Sequence, residues 1–166
     1  MGWTDSRIFT QAILNPLLAA AWSTAEPGGY GANGLSTDTV NGALFGVTST
    51  PDKDAAVGST GYSTGVWITA NEVTDATNWV AGGRALSGKS FSSSTGIVNL
   101  TASSLSGGGT VTITAAYGIL VYDNNITGGT VAKQGICFNY FGGSQGVSGG
   151  TFTVNWDATG VFKFTN

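Results

Sequence analysis

Gly118–Lys163 has the sequence GILVYDNNITGGTVAKQGICFNYFGGSQGVSGGTFTVNWDATGVFK, in which apolar runs alternate with turn-forming residues. The runs are Gly118–Tyr122, Gly135–Phe141, Thr151–Trp156 and Val161–Phe164. Each is short, rich in β-branched and aromatic residues, and bounded by Gly, Asn or Asp, which is the signal of strands joined by turns. We therefore expect four strands of one antiparallel sheet with a single buried face.

Alternation is clearest in Thr151–Trp156, where Phe152, Val154 and Trp156 fall on one side of an extended chain. The next four residues, Asp157–Gly160, predict a compact turn because Asp and Gly favour turn conformations. Together these two segments predict a hairpin close to the end of the sequence.

Turn-forming residues also mark the earlier connections. Asp123–Asn125 and Gly128–Gly129 predict the first connection, and Gly142–Gly143 and Gly149–Gly150 bracket the second. The second strand of the block is therefore expected to end near Phe141.

Two segments of the chain resemble a known family. Gly150–Phe164, GTFTVNWDATGVFKF, and Glu72–Lys89, EVTDATNWVAGGRALSGK, are similar to the corresponding parts of bacteriophage capsid decoration (cement) proteins and related small virion proteins. The resemblance covers roughly residues 62–166, with a looser similarity near the start, and it lies mostly in turns and core positions.

The resemblance implies a role in the virion. Decoration proteins of this kind bind the outside of a matured capsid, often as trimers, and hold neighbouring major capsid protein subunits together. It therefore implies a homotrimer on the outer capsid surface, made in the host cytoplasm, with the major capsid protein as its partner.

A chain of 166 residues is enough for one globular unit with a core of its own. Its composition divides it into an N-terminal helical segment (1–22), a Gly/Ser/Thr-rich loop or arm with a short strand (23–61) and a β-sandwich domain (62–166). The fold class expected is mainly β, an antiparallel β-sandwich or Greek-key barrel with a short N-terminal helical segment.

Only 9% of the residues are charged, against about 25% in an average globular protein. The net charge is −3, and the basic residues are scattered rather than clustered, which argues against a nucleic-acid partner. These basic residues are Arg7, Lys53, Arg84, Lys89, Lys133 and Lys163. No apolar run is long enough to span a bilayer, so no membrane partner is predicted.

The chain has no His and one cysteine, Cys137, which excludes His-based triads and an intramolecular disulfide. Glu72 with Asp75, and Asp52 with Asp54, are the tempting carboxylate pairs, but both lie in hydrophilic loop sequence where solvated turn residues are the default. We therefore predict no catalytic residues, no metal site and no cofactor, and hence no enzyme.

Gly83–Ser90, GRALSGKS, satisfies the P-loop pattern letter for letter. A working P-loop requires a helix that begins at Lys89, and Phe91–Gly96 is unsuited to a helix because it is rich in Ser, Thr and Gly. Despite the pattern, no nucleotide is expected to bind here.

The helical candidate at 1–22 depends on apolar residues that recur at helical spacing from Ile8 to Ile13. Pro16 predicts a break near Asn15. A signal peptide is the competing interpretation, but Asp5 stands where a basic residue is expected.

This segment and the loop after it supply the predicted contacts with the capsid or with other copies of the chain. The candidates are Trp3, Arg7, Ile8, Phe9, Ile13, Trp22 and Tyr30. The alternative is that Ile8, Phe9 and Ile13 cover one end of the chain's own sandwich.

Further strands are expected in the middle of the chain. They are Gly42–Thr48, Gly65–Thr69, Arg84–Phe91, Ile97–Ala102 and Thr110–Ala115.

A second functional class remains open, a tail or head-fibre module that binds a host glycan. Such a module needs a groove lined by exposed Trp or Tyr with Asp or Asn nearby. Trp79 and Trp156 are expected in the core, which leaves as contact aromatics Trp3, Trp22, Tyr30 and Tyr62.

Overall fold

A computed structural model describes residues 2–10, 35, 37–94, 97–128 and 130–165. Within these ranges the chain forms ten β-strands and three short 3-10 helices. The strands are β1 (Arg7–Ile8), β2 (Val40–Phe45), β3 (Arg84–Ala85), β4 (Ser90–Ser94), β5 (Ile97–Thr101), β6 (Leu105–Ser106), β7 (Val111–Asp123), β8 (Gly135–Gly150), β9 (Thr153–Val154) and β10 (Phe162–Thr165). The 3-10 helices are Val57–Ser59, Gly65–Trp67 and Thr69–Asn71.

The strands form three sheets, and every pairing is antiparallel. The central sheet has the order β1-β8-β7-β2-β3, and two smaller sheets have the orders β10-β5-β4 and β6-β9. The mainly β, antiparallel fold class predicted from the sequence is confirmed.

The central sheet is buried on both faces, where the sequence analysis expected one buried face. In β7, Ile119 and Val121 point into one hydrophobic core, whereas Leu120 and Tyr122 point into another. All four side chains are at most 1% exposed. A continuous apolar run such as Gly118–Tyr122 is typical of a strand covered on both sides, and the alternation of the neighbouring runs hides that signal.

The first core lies between the central sheet and the two small sheets. Leu100 of β5, Leu105 of β6 and Val154 of β9 pack there against the central strands. Trp79, which has no exposed surface, meets Phe152 edge to face with ring centroids 5.7 Å apart. This confirms the prediction that Trp79 is a core residue.

The second core covers the opposite face of the central sheet and is mostly aromatic. Its lid consists of Trp3 and Phe9 from the N-terminal segment with Tyr62 and Trp67 from the loop after β2. The Trp67 ring lies 5.1 Å from Phe45 and 5.9 Å from Phe9, both edge to face. Edge-to-face pairs add to the stabilisation that burial alone provides.

The helical prediction is wrong for the start of the chain. Residues 2–9 contain no helix, and Arg7–Ile8 is a strand paired with Phe138 and Cys137 of β8. Backbone pairing with the edge of β8 and burial of Phe9 outweigh the weak helical spacing, because helix propensity is only a weak prior. Residues 11–34, which hold the rest of the predicted helix and the first part of the predicted loop or arm, lie outside the described residues.

Two predicted strands in the middle of the chain have different structures. Gly65–Thr69 lies mainly in 3-10 helices, because Ser63 and Gly65 adopt φ of 70° and 54° and turn the chain. Arg84–Phe91 is split into β3 and the start of β4 by Gly88, whose φ is 60°. Alternation within a few residues does not reveal such turns.

Two other predicted breaks do not end their strands. Thr110–Ala115 and Gly118–Tyr122 belong to one strand, β7, with Ala115 at a φ of 56° where the register shifts. Likewise β8 continues through Gly142–Gly143 to Gly150, although Gly142 has a φ of 79°. Bulges absorb these residues, so the strands bend and remain paired.

The last third of the chain contributes to all three sheets, where the sequence analysis expected one. Only β7 and β8 pair with each other, whereas β9 pairs with β6 and β10 pairs with β5. The predicted turn at Asp157–Gly160 is confirmed by a 2.8 Å hydrogen bond from the Gly160 N–H to the Asp157 carbonyl oxygen.

Candidate functional site

Two of the predicted contact residues lie in the second core. Trp3 is 5% exposed and donates its Nε1–H to the Gly46 carbonyl oxygen over 2.9 Å, and Phe9 has no exposed surface. In this fold both side chains are occupied in covering the chain's own sheet, which agrees with the alternative role considered for Phe9.

The other predicted contact residues differ in position. Arg7 is exposed and forms a 2.8 Å ion pair with Asp5, and Ile8 is partly buried against both cores. The remaining candidates, which lie outside the described residues, are Ile13, Trp22 and Tyr30.

The β10-β5-β4 sheet carries an apolar patch that sequence analysis missed. Phe91, Val98 and Phe164 are 38%, 42% and 42% exposed, and we call them the apolar face. Phe164 is the Cα partner of Val98, and Phe91 is the partner of Leu100, two residues from Val98. Side chains two apart on a strand, and those of paired residues, share one side of a sheet, so the three residues lie together.

The apolar face is continuous with the first core. Leu100, on the same side of β5, has no exposed surface, and Phe162, also its partner, packs against the core and against Phe91 at 6.5 Å between ring centroids. Beyond Leu100 the sheet extends past the core, so Val98 and Phe164 are left uncovered by the described residues. The signal for this patch is the pairing of β5 with β10, which no local pattern reveals.

A groove of about 450 Å³ lies between β8 and β9. Its lining contains no charged residue and consists of Tyr140, Phe141, Gln145, Phe152, Thr153, Val154 and Asn155. Its volume falls in the range of roughly 300–1,000 Å³ that is usual for ligand sites. Sequence analysis missed it because its two walls are separate strands that do not pair with each other.

A hydrogen-bonded polar cluster surrounds Glu72. The Glu72 carboxylate accepts hydrogen bonds from the Tyr62 hydroxyl over 2.7 Å and from the Gly82 N–H over 2.9 Å. The Tyr122 hydroxyl donates to the Gly82 carbonyl oxygen over 2.8 Å, and the Tyr62 and Tyr122 rings stack with centroids 4.8 Å apart. These bonds fix the loop before β3 onto the second core.

Burial changes the acidity of this cluster. It raises the pKa of Glu72, raises the pKa of Tyr62, and raises the pKa of Tyr122 to about 12. Desolvation is the largest cause in each case, because it disfavours the charged form. Both tyrosine rings are almost fully buried and Glu72 is partly buried, so the hydrogen bonds of the cluster stabilise the fold. The prediction that Glu72 is a solvated turn residue is therefore wrong.

The other carboxylates of the predicted pairs are surface residues. Asp75 accepts hydrogen bonds from the backbone N–H groups of Asn78, Thr112 and Thr77, which lower its pKa. Asp54 is bonded by Lys53 and by the Thr10 hydroxyl, which also lower its pKa. Among the described residues no group of three or more potential metal ligands occurs.

Cys137 is fully buried in the first core, and burial raises the pKa of its thiol to about 12. This supports its interpretation as a small apolar residue.

The segment with the P-loop pattern does not have P-loop structure. Ser90–Ser94 is β4, so the chain continues as a strand where a P-loop would begin its helix. The Lys89 ammonium donates to the Asp38 carbonyl oxygen and thereby connects β4 to the segment before β2.

Comparison with protein-family models, with curated proteins and with solved structures finds no match to this chain. Among the described residues no helix is long and apolar enough to cross a membrane.

Proposed function

We propose that this chain is a structural protein of a bacteriophage virion that decorates the outside of the mature capsid and joins neighbouring major capsid protein subunits. The resemblance in Glu72–Lys89 and Gly150–Phe164 suggests the class of protein. The observation that carries the proposal is the apolar face, which gives such a protein a physical means of attachment.

The apolar face suits a protein partner for two reasons. Three large apolar side chains, each about two-fifths exposed, lie together on a sheet of which both outer strands, β4 and β10, have a free edge among the described residues. The rest of this sheet is mainly Ser, Thr and Asn, so burying it in an interface desolvates few charges. Repetition of this modest contact on many capsid subunits multiplies its strength.

Co-sedimentation with matured capsid shells that lack this protein tests the proposal. Saturable binding to matured shells, with a higher melting temperature of the shell, is the expected result. Val98→Asp should weaken binding at least about tenfold because it places a charge in the interface. Val47→Asp is the matched control, since Val47 is 50% exposed but follows β2 of the central sheet and is not part of the β10-β5-β4 sheet.

Binding only to tails or to cell-wall material would overturn the capsid role. An equal loss of binding in both variants would show that the apolar face is not part of the interface. The homotrimer implied by the family resemblance is part of the proposal, and sedimentation equilibrium of the free protein tests it.

The alternative function is recognition of a host glycan, for which the groove between β8 and β9 is the candidate place. It offers Tyr140 beside the amide side chains of Gln145 and Asn155. However, Tyr140 stacks on Trp3 with centroids 6.4 Å apart, and Phe141 packs against the first core. Because Tyr140 packs against the second core and Phe141 against the first, the groove favours the glycan role less than the apolar face favours a protein partner.

A further inference from the structure

We propose that the groove between β8 and β9 is a strand position that no strand of the described residues fills, and that it accepts an extended, uncharged peptide segment of a partner protein by β-strand addition. The inference deepens the proposed function and rests on it only for the identity of the partner, a neighbouring structural subunit of the same particle. It depends on the direction of the backbone groups along both walls.

Most of the residues that line the groove are consecutive in the sequence on each wall. Four consecutive residues of one wall, Phe152 to Asn155, contact it, and so do the consecutive pair Tyr140 and Phe141 of the other. Neighbouring side chains on a strand point to opposite faces, so a cavity on one face contacts only every second residue. A cavity that contacts every residue in turn runs along the edge of the strand, where the backbone is exposed.

One edge of β9 faces the groove. The Gly107 N–H donates to the Phe152 carbonyl oxygen over 3.2 Å, so the backbone of Phe152 faces β6. Successive residues of an antiparallel strand direct their backbone groups alternately to the two sides. The N–H and C=O of Thr153 therefore face away from β6, toward the groove.

The outer edge of β8 is paired over only part of its length among the described residues. The Ile136 carbonyl oxygen accepts the Phe9 N–H over 3.0 Å, and the Tyr140 N–H donates to the Ser6 hydroxyl oxygen over 2.7 Å. This edge pairs with β1 only at Cys137 and Phe138, and no other strand of the described residues continues the pairing toward Gly150. The groove thus begins close to the point where the pairing of this edge with β1 ends.

The lining of the groove favours an extended peptide without charges. An extended peptide pairs through its own backbone with the N–H and C=O of Thr153, as in β-strand addition, which a sugar ring does not do. The lining contains no charge, so a charged side chain inside the groove would lose its hydration without gaining an ion pair. The buried Phe152 and Val154 favour apolar side chains at alternate positions of the incoming strand.

The test uses the full chain and a displayed library of random peptides of about ten residues, the length of a long strand. We expect enrichment of uncharged peptides that alternate apolar and polar residues. Thr153→Pro should weaken their binding at least about tenfold, because proline removes the N–H that faces the groove. Thr153→Val is the matched control, since it keeps the N–H and removes only the hydroxyl, and it should bind like the wild type.

A second variant guards against misfolding of the first. Gln145→Arg leaves the backbone unchanged and places a charge in the groove, so it should also weaken the uncharged peptides. Hydrogen exchange should show protection of the Thr153 amide when peptide is bound to the wild-type protein.

The contrary outcomes are distinct. If no peptide is enriched, or if the enriched peptides bind both variants as well as the wild type, the inference is wrong. Glycan binding that Tyr140→Ala abolishes, without peptide binding, would assign the groove to a sugar. Peptide binding by a protein that does not bind matured shells would overturn only the capsid role, and shell binding without peptide binding would overturn only this inference.

Discussion

Gly83 shows how a single residue fixes the path of the chain. Its φ is 66°, and a Cβ atom at this position would lie 2.0 Å from the carbonyl oxygen of Gly42. Both the backbone conformation and the space therefore require glycine. Gly83 is also the first glycine of the P-loop pattern. In this fold its role is to permit the close approach of the chain at β3 to β2.

Gly83→Ala should lower the free energy of unfolding by about 3 kcal/mol, because backbone atoms must move to admit the methyl group. Gly142→Ala is the control, since Gly142 also has a positive φ of 79° but no atom within 4 Å of the added Cβ. That control should cost about 1 kcal/mol, the penalty of the left-handed conformation alone. Urea unfolding measures both, and equal losses would contradict the close approach of β3.

Glu72 gives a prediction about pH. Burial raises the pKa of Glu72 above the ordinary value of 4.5. At pH values between 4.5 and the folded pKa, the folded protein therefore holds a proton that the unfolded chain has released. The contribution of Glu72 to stability is therefore full below about pH 4.5 and is lost as the pH rises through the folded pKa. Gln at this position does not titrate.

Melting temperatures of the wild type and of Glu72→Gln, measured from about pH 4 upward, should show this loss of stability. The wild type should lose stability relative to the variant as the pH rises and then reach a plateau. The groups with lowered pKa values, such as Asp75, are present in both proteins, so their contribution cancels in the comparison. If the melting temperature of the wild type relative to the variant stays constant or rises with pH, the folded pKa of Glu72 is not raised.

At the scale of single elements, the 3-10 helix Gly65–Trp67 shows how a loop can cover one face of a sheet in place of a second sheet. Trp67 is 1% exposed and contacts the rings of Trp3, Phe9, Phe45 and Phe138. One indole thus joins the N-terminal segment to two strands of the central sheet. The element is short, but its indole contacts rings from both sides of the second core.

Trp67→Ala should therefore lower the free energy of unfolding by about 3–5 kcal/mol, the usual cost of removing a buried large aromatic ring. Trp156→Ala is the comparison, because Trp156 is only partly buried and donates one hydrogen bond, to the Ser103 carbonyl oxygen. Its loss should stay below about 2 kcal/mol. Urea unfolding followed by circular dichroism distinguishes the two, and a larger loss for Trp156 would contradict the two-faced burial of the sheet.

At the scale of the whole molecule, one sheet is shared by two cores. The first core requires strands from both small sheets, and the second requires the N-terminal segment and the loop after β2. Residues distant in the sequence therefore stabilise opposite faces of the same strands. The two surfaces that we propose for partners are the apolar face and the groove.

Local pattern determined much of this protein. Alternation and turn residues predicted the mainly β fold, the core position of Trp79 and the turn at Asp157–Gly160, because each depends on a few neighbouring residues. The apolar run Gly118–Tyr122 also contained the evidence that its strand is covered on both sides.

Only the tertiary structure decided which strands pair and what covers them. Val154 pairs with Leu105 and Phe164 with Val98, and no local pattern distinguishes these partners from the adjacent strands. The same holds for Trp3, which is buried because a distant face of the sheet needs cover. The physical reason is that period-two alternation fixes the side to which a residue points, whereas contacts between distant segments fix what it meets there.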